Sequence, residues 1–195
     1  MTLFDRLAEI SDRWNVLRHP FYDRWERGDL KRSELVFYAG EYRHAVVALA
    51  HAAAAAGDPE HAEEEAAHVA LWDEFAGELG ADLDRAPTEE TRELVTAWSR
   101  RDPLEANAVL YAVESAQPAI SATKLKGLRR HYGFEDRGTA YFELHAERDL
   151  EHAERSRIWL AEHDGDEERV LATAEAALDA NWRLLDGVER ETAHR

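Results

Sequence analysis

Two places in this chain announce a helix with the same chemistry. Asp58-Pro59 and Asp102-Pro103 each put an N-capping carboxylate before a proline whose fixed φ suits the first helical turn, and acidic residues follow where the helix dipole favours them. Thr88 is a third start signal, and Glu105 stands at the position from which a capping-box side chain reaches back. Between such signals apolar residues recur at three and four positions, alanine, leucine, glutamate and arginine abound, and no strand alternation appears. The chain is therefore all-α. Helices are expected over about 2–14, a short stretch ending at Trp25, 33–56 with Gly57 as its left-handed cap, 59–80, 88–98, 102 to near Gly133, and 139–163. An acidic turn, Asp164-Gly165-Asp166, then leads into a final amphipathic helix carrying Val170, Leu171, Ala174, Leu178, Trp182 and Leu185 on one stripe. This makes a bundle of about seven or eight helices in a single domain over residues 1–195, without an internal repeat, and bundles place cofactor sites between facing helices.

Charge and composition narrow the chemistry. The formal net charge of −17 repels phosphate backbones and anionic lipid, so neither nucleic acid nor a membrane is an expected partner. There is no signal-like leader and no apolar run of about 18 residues, and a cytoplasmic location is expected. With no cysteine, disulfides, thiolate metal sites and a cysteine nucleophile are excluded, and any metal must be held by nitrogen and oxygen.

Three segments offer such ligands. In His145-Ala-Glu-Arg-Asp-Leu-Glu-His152, the residues His145, Asp149 and His152 fall at i, i+4 and i+7, on one face of a helix. The same spacing also builds an ordinary solvated face. In the helix after Pro59, Glu65 and His68 have the Glu-x-x-His spacing of carboxylate-bridged di-iron bundles, with His61 and Glu64 on roughly the same face; the competing reading is a solvated acidic run, Glu63-Glu64-Glu65. Glu114 lies among Leu110, Ala112, Val113 and Ala116, where an unpaired carboxylate costs several kcal/mol, and Pro118 removes the hydrogen bond to its carbonyl and kinks the helix there. Its partner is either a metal or a basic residue such as Lys124. Together Glu65, His68, Glu114, His145, Asp149 and His152 make a mixed set suited to two first-row ions, iron first and manganese second. Tyr111, Ser115, Gln117 and Tyr141 are candidates for hydrogen bonds behind the ligands.

These residues resemble the haem-oxygenase-like di-iron oxidases, within the superfamily of thiaminase-type and pyrroloquinoline-quinone-synthase-type helical proteins. His19-Pro20-Phe21-Tyr22 with Trp25, Gly28 and Leu30 is similar to its amino-terminal signature, and Tyr38 to His44 to the aromatic helix that follows. More specific are Tyr111 to Pro118, Lys124, Gly127-Leu128, His131-Tyr132-Gly133, Phe142, and His145 with Asp149 and His152. The resemblance spans nearly the whole chain and implies a haem-oxygenase-like helical bundle with Glu114, His145, Asp149 and His152 as metal ligands. It is nearest the p-aminobenzoate-forming branch, in which a lysine ten residues after the helix glutamate matches Lys124. Two positions depart. His61 stands where that branch has its first glutamate, so Glu65, Glu64 and His61 compete for the first-helix role, Glu65 being chosen on the Glu-x-x-His spacing; and Val113 replaces the tyrosine before the glutamate, which argues against that branch's product.

The expected protein is a non-haem di-iron oxidase or oxygenase that uses two Fe(II) ions and dioxygen to oxidise a small organic substrate. Glu114 and Lys124 are its catalytic candidates, and Lys124, Tyr22 and Tyr38 shape a pocket favouring a carboxylate-bearing ligand. The alternative is a metal-free thiaminase-like hydrolase or small-heterocycle-binding protein of the same fold. A homodimer is expected, with the alanine-rich helix and the final helix as its surfaces.

Overall fold

The computed structural model describes residues 1–163 and 166–193. Nine α-helices occur among them, and no strand: α1 (Leu3–Arg13), α2 (Pro20–Arg27), α3 (Arg32–Ala56), α4 (Pro59–Leu79), α5 (Glu89–Trp98), α6 (Pro103–Glu114), α7 (Gln117–Gly127), α8 (Ala140–Glu162) and α9 (Glu167–Thr192). The additional helix arises at one place. The run expected to bend at Glu114 breaks there instead: α6 ends at Glu114, Ser115 and Ala116 form a turn, and Pro118 sits in the first turn of α7, where its missing N–H costs nothing. The chain then continues from α7 through a wider π-helical turn, Leu128–Tyr132, to Gly133 in the left-handed conformation.

The start signals act as expected, with one exception. Asp58 accepts from the N–H groups of Glu60 and His61 at 3.1 and 3.2 Å, which fixes the register of α4 and the direction of His61. Asp102 caps α6 in the same way, but Glu105 does not return to the cap; it accepts a 2.9 Å bond from Arg169 of α9. Gly57 takes φ 95° after α3, and Asn107 of α6 donates to the Ala56 carbonyl at 3.0 Å, closing the end of that helix. Of the expected acidic turn, Asp166 caps α9, while Asp164 and Gly165 lie outside the described residues.

Helix α3 is the spine, packed against α4, α5, α6 and α9, while α8 lies across α4, α6 and α7. Three fully buried tryptophans tie neighbouring helices by donating their indole N–H to backbone carbonyls: Trp25 of α2 to Lys124 at 3.1 Å, Trp72 of α4 to Ala39 at 2.9 Å, and Trp98 of α5 to Ala177 at 2.9 Å. Each adds burial worth roughly 3 kcal/mol to a satisfied polar tip. Trp25 lies flat on α7 only because residue 127 is glycine; a Cβ there would sit 2.5 Å from the indole Cδ1. A second apolar cluster joins α1, α6, α8 and α9 through Leu7, Ile10, Ala112, Leu160, Val170, Leu171 and Leu178. The faces expected to meet in a dimer are consumed here. Ala52, Ala53 and Ala56 of α3 and Val170, Leu171, Ala174, Leu178 and Leu185 of α9 are buried within the chain. Among the described residues no helix is long and apolar enough to cross a membrane.

Candidate metal centre

Helices α4 and α8 face one another with the same spacing of side chains. His145, Asp149 and His152 on α8 are matched by His61, Glu65 and His68 on α4, each set at i, i+4 and i+7, so each helix directs one stripe into the space between them. The order is antiparallel: the His61 ring lies 4.2 Å from that of His152, and the His68 ring 4.5 Å from that of His145. Glu114, the last residue of α6, enters from the side and brings one oxygen to 2.9 Å from His61 Nε2. All seven side chains are buried.

Two overlapping groups of donor atoms result. His61, Glu65, Glu114 and His152 each place one donor atom within 4.8 Å of the others, and so do Glu65, His68 and His145; Glu65 belongs to both. Yet the donors are poorly satisfied by protein. Buried atoms without a hydrogen-bond partner include His61 Nε2, His68 Nδ1, both oxygens of Glu114, His145 Nε2, both oxygens of Asp149 and His152 Nδ1. Close approaches such as His68 Nδ1 to Glu65 at 2.8 Å and His61 to Glu114 at 2.9 Å lack hydrogen-bond geometry, as when atoms point at a common centre rather than at one another. So many orphaned polar atoms in one buried cluster would cost many kcal/mol without a compensating partner. Four imidazoles and three carboxylates are the donor chemistry of paired first-row metal ions, so the residues fit such a group.

Electrostatics give the same direction. Burial, then the charge of Glu65, pushes the Glu114 carboxyl well above the ordinary range, and burial with Glu114 and Glu65 drives Asp149 up to about 10. Burial and then His68 press His145 down to about 4, and burial also lowers His61 and His152. Burial opposes ionisation of Glu65 as well, but the close approach of His68 and the other neighbouring imidazoles outweigh it and hold this carboxyl low. Carboxylates that lose their protons here beside neutral imidazoles need positive charge in the cavity, the condition a divalent cation meets.

The imidazoles are aimed by groups behind them. His145 Nδ1 donates to the Tyr141 carbonyl at 2.7 Å, leaving Nε2 inward, and the Tyr141 ring stacks on it at 3.9 Å. Gln117 reaches the Tyr42 hydroxyl at 3.5 Å beside the site. Two expected supporting residues lie elsewhere: Tyr111 packs edge-on against Phe4 of α1, and exposed Ser115 donates to the Ala112 carbonyl, because α6 turns both away from the interior. Glu64, the rival to Glu65, stands at the rim and accepts from His152 Nε2 at 2.7 Å.

Lys124 is not the partner of Glu114. Its Nζ is fully buried without a hydrogen bond, 4.4 Å from the centre of the Tyr42 ring and 5.4 to 5.8 Å from those of Tyr22, Tyr38, Trp72 and Phe142. Burial lowers its pKa to about 7. This cage of aromatic rings around Lys124 adjoins the donor cluster through Tyr42, Trp72 and Tyr141.

Of the competitors for the first-helix role, His61 and Glu65 both face the donor cluster. The signal for His61 was present: His61-x-x-x-Glu65-x-x-His68 repeats the spacing of His145-x-x-x-Asp149-x-x-His152, a local repeat invisible to a search for larger periods.

Over residues 33–182 the chain matches the family of iron-containing redox enzymes. It is 32% identical to a 4-aminobenzoate synthase of Nitrosomonas europaea, covering 96% of this chain and 91% of that protein, and 29% identical to a 4-aminobenzoate synthase of Chlamydia pneumoniae, covering 94% and 93%. A domain of unknown function with a heme oxygenase-like fold from Shewanella denitrificans superposes with a TM-score of 0.78 at 21% identity, covering 98% of this chain and 93% of that one, which speaks for the fold. Sequence match, fold and donor set converge: the chain belongs to the haem-oxygenase-like family of iron-containing redox enzymes and is an iron-dependent oxidoreductase.

Proposed function

We propose that this chain is a non-haem di-iron oxidase or oxygenase that uses dioxygen to oxidise a small organic substrate. The observation that carries the reading is the sharing of Glu65 by two donor groups: His61, Glu65, Glu114 and His152 would hold one ion, and Glu65, His68 and His145 the other. Asp149, buried between those helices with both oxygens unpartnered, completes the set. Iron held there would supply the electrons for reaction with dioxygen. The remaining chemistry belongs to the chain. Glu65, between two pairs of imidazoles, would serve both positions, and the aromatic groups around Lys124 exclude water.

Lys124 faces the substrate. Its amine changes protonation near pH 7, so it takes up or returns a proton within that cage, and as a cation it pairs with a carboxylate. Tyr22, Tyr38 and Tyr42 surround the same space and favour a flat, aromatic or short acidic molecule. The relatives named 4-aminobenzoate synthase make aminobenzoate the first product to assay. A metal-free hydrolase or binding protein of this fold has no use for eight inward-facing donor atoms lacking protein partners.

The test is anaerobic loading with Fe(II), metal counting, and mixing with oxygenated buffer while optical change and oxygen uptake are followed. Close to two irons per chain and oxygen consumption are expected. Fewer than one iron, or undiminished uptake by a His145→Ala, His152→Ala double variant, would defeat the proposal.

A further inference from the structure

The inward imidazoles of α8 are aimed by two different kinds of group. His145 is fixed by a neutral carbonyl one turn back on its own helix, at 2.7 Å and fully inside the protein. His152 is fixed from another helix by a charged group: its Nε2 lies 2.7 Å from Glu64 Oε2, while its Nδ1 is buried and has no partner. The Glu64 side chain is about a quarter exposed, and its other oxygen lies 3.5 Å from Arg148, itself bound to Glu151 at 3.3 Å. Glu64 is thus the link between a buried donor and the surface.

From this asymmetry we infer that Glu64 is a positioning residue: it holds His152 as the Nε2–H tautomer with Nδ1 turned inward, and makes the position of His61, Glu65, Glu114 and His152 the tighter of the two for metal. The inference rests on the metal-centre reading above. A carboxylate that accepts an imidazole N–H fixes the ring and increases the basicity of the opposite nitrogen, whereas a backbone carbonyl fixes the ring with less electronic effect. Removal of such a partner typically costs about 10- to 100-fold in metal affinity. Glutamine in place of Glu64 retains an oxygen that accepts the same hydrogen bond; alanine does not.

The experiment uses the metal-depleted full chain and Co(II) as the probe, titrated optically into wild type, Glu64→Ala and Glu64→Gln, with circular dichroism to verify folding. Nitrogen chemical shifts of the His152 ring in the metal-depleted protein are read in parallel. The expected result is two Co(II) sites of unequal affinity in wild type, with the tighter one weakened about 10- to 100-fold in Glu64→Ala and by an intermediate factor in Glu64→Gln, whose neutral oxygen still orients the ring but no longer raises its basicity. The His152 ring should be the Nε2–H tautomer in wild type and Glu64→Gln, and mixed in Glu64→Ala. Wild-type affinity in a folded Glu64→Ala chain overturns the inference alone. Glu64→Gln as weak as Glu64→Ala also overturns it, since the hydrogen bond that orients His152 would then contribute nothing to binding. A wild-type chain that takes up no Co(II) overturns the metal reading and the inference with it.

Discussion

Glu41 and Glu114 are the same side chain at the same depth, each about 1% exposed on a helix of the core, and they are treated in opposite ways. Glu41 is fully answered by protein: the Arg85 guanidinium, the N–H and hydroxyl of Thr88, both at 3.0 Å, and the Thr91 hydroxyl converge on it and tie α3 to the start of α5. Glu114 has neither oxygen hydrogen-bonded and meets only His61 in poor geometry. A buried carboxylate with four protein donors is a structural joint. One left open among imidazoles is kept for something that is not protein.

Exchanging these two glutamates for alanine should therefore separate stability from metal binding. The largest effect is expected from Glu114→Ala, which should lower metal affinity by about a thousandfold, beyond the cost of losing an outer-shell partner, while the metal-free chain unfolds at the same temperature or higher. Metal titration and thermal unfolding of one preparation read both. Glu41→Ala should do the reverse. Unfolding free energy should fall by about 3 kcal/mol, equivalent to roughly 10 °C, with metal uptake by the folded chain unchanged. If both variants lose both properties, the distinction between joint and open ligand fails.

Lys124 extends the comparison to a buried base. The unfolded chain keeps its proton up to about pH 10.5, the folded chain only to about 7, so the cost of burying it is fully present below pH 7 and fades as pH rises through that interval. Lys124→Met should stabilise the metal-free chain on the order of 2 kcal/mol at pH 6, with the gain shrinking toward pH 10 in denaturant titrations. The smallest expected change is Thr91→Val. Loss of one donor to Glu41 should cost about 1 kcal/mol and leave metal affinity untouched.

The contrast also marks what a one-dimensional reading reaches. The helices were legible because caps and apolar periodicity are local, and the common inward stripe of His145, Asp149 and His152 was legible because the three fall on one helix face. Glu114 was legible as a buried carboxylate but not as an unpaired one. Glu41, with Ala39, Gly40 and Tyr42 around it, gives the same local signal, and only the distant Arg85 and Thr88 separate the two. Lys124 appeared as a possible partner of Glu114 because ten residues along a continuous helix still leave both in one region; the break at Ser115 and Ala116 sends it into the aromatic cage instead. His61 is harder to read than Glu65 and His68, because its place on the inward stripe shows only through the spacing that joins all three.

That break divides the molecule by the kind of change each side can absorb. Glu114 ends a helix packed into α3, α8 and α9, while Lys124 belongs to a separate helix resting on α2 and α8. Substitutions along α7 therefore reach the Glu114 carboxylate through side-chain packing and not through a continuous backbone ladder. The turn thus uncouples Lys124 from Glu114 along the chain, while the rings around Lys124 come from α2, α3, α4 and α8, two of which also carry the donor set.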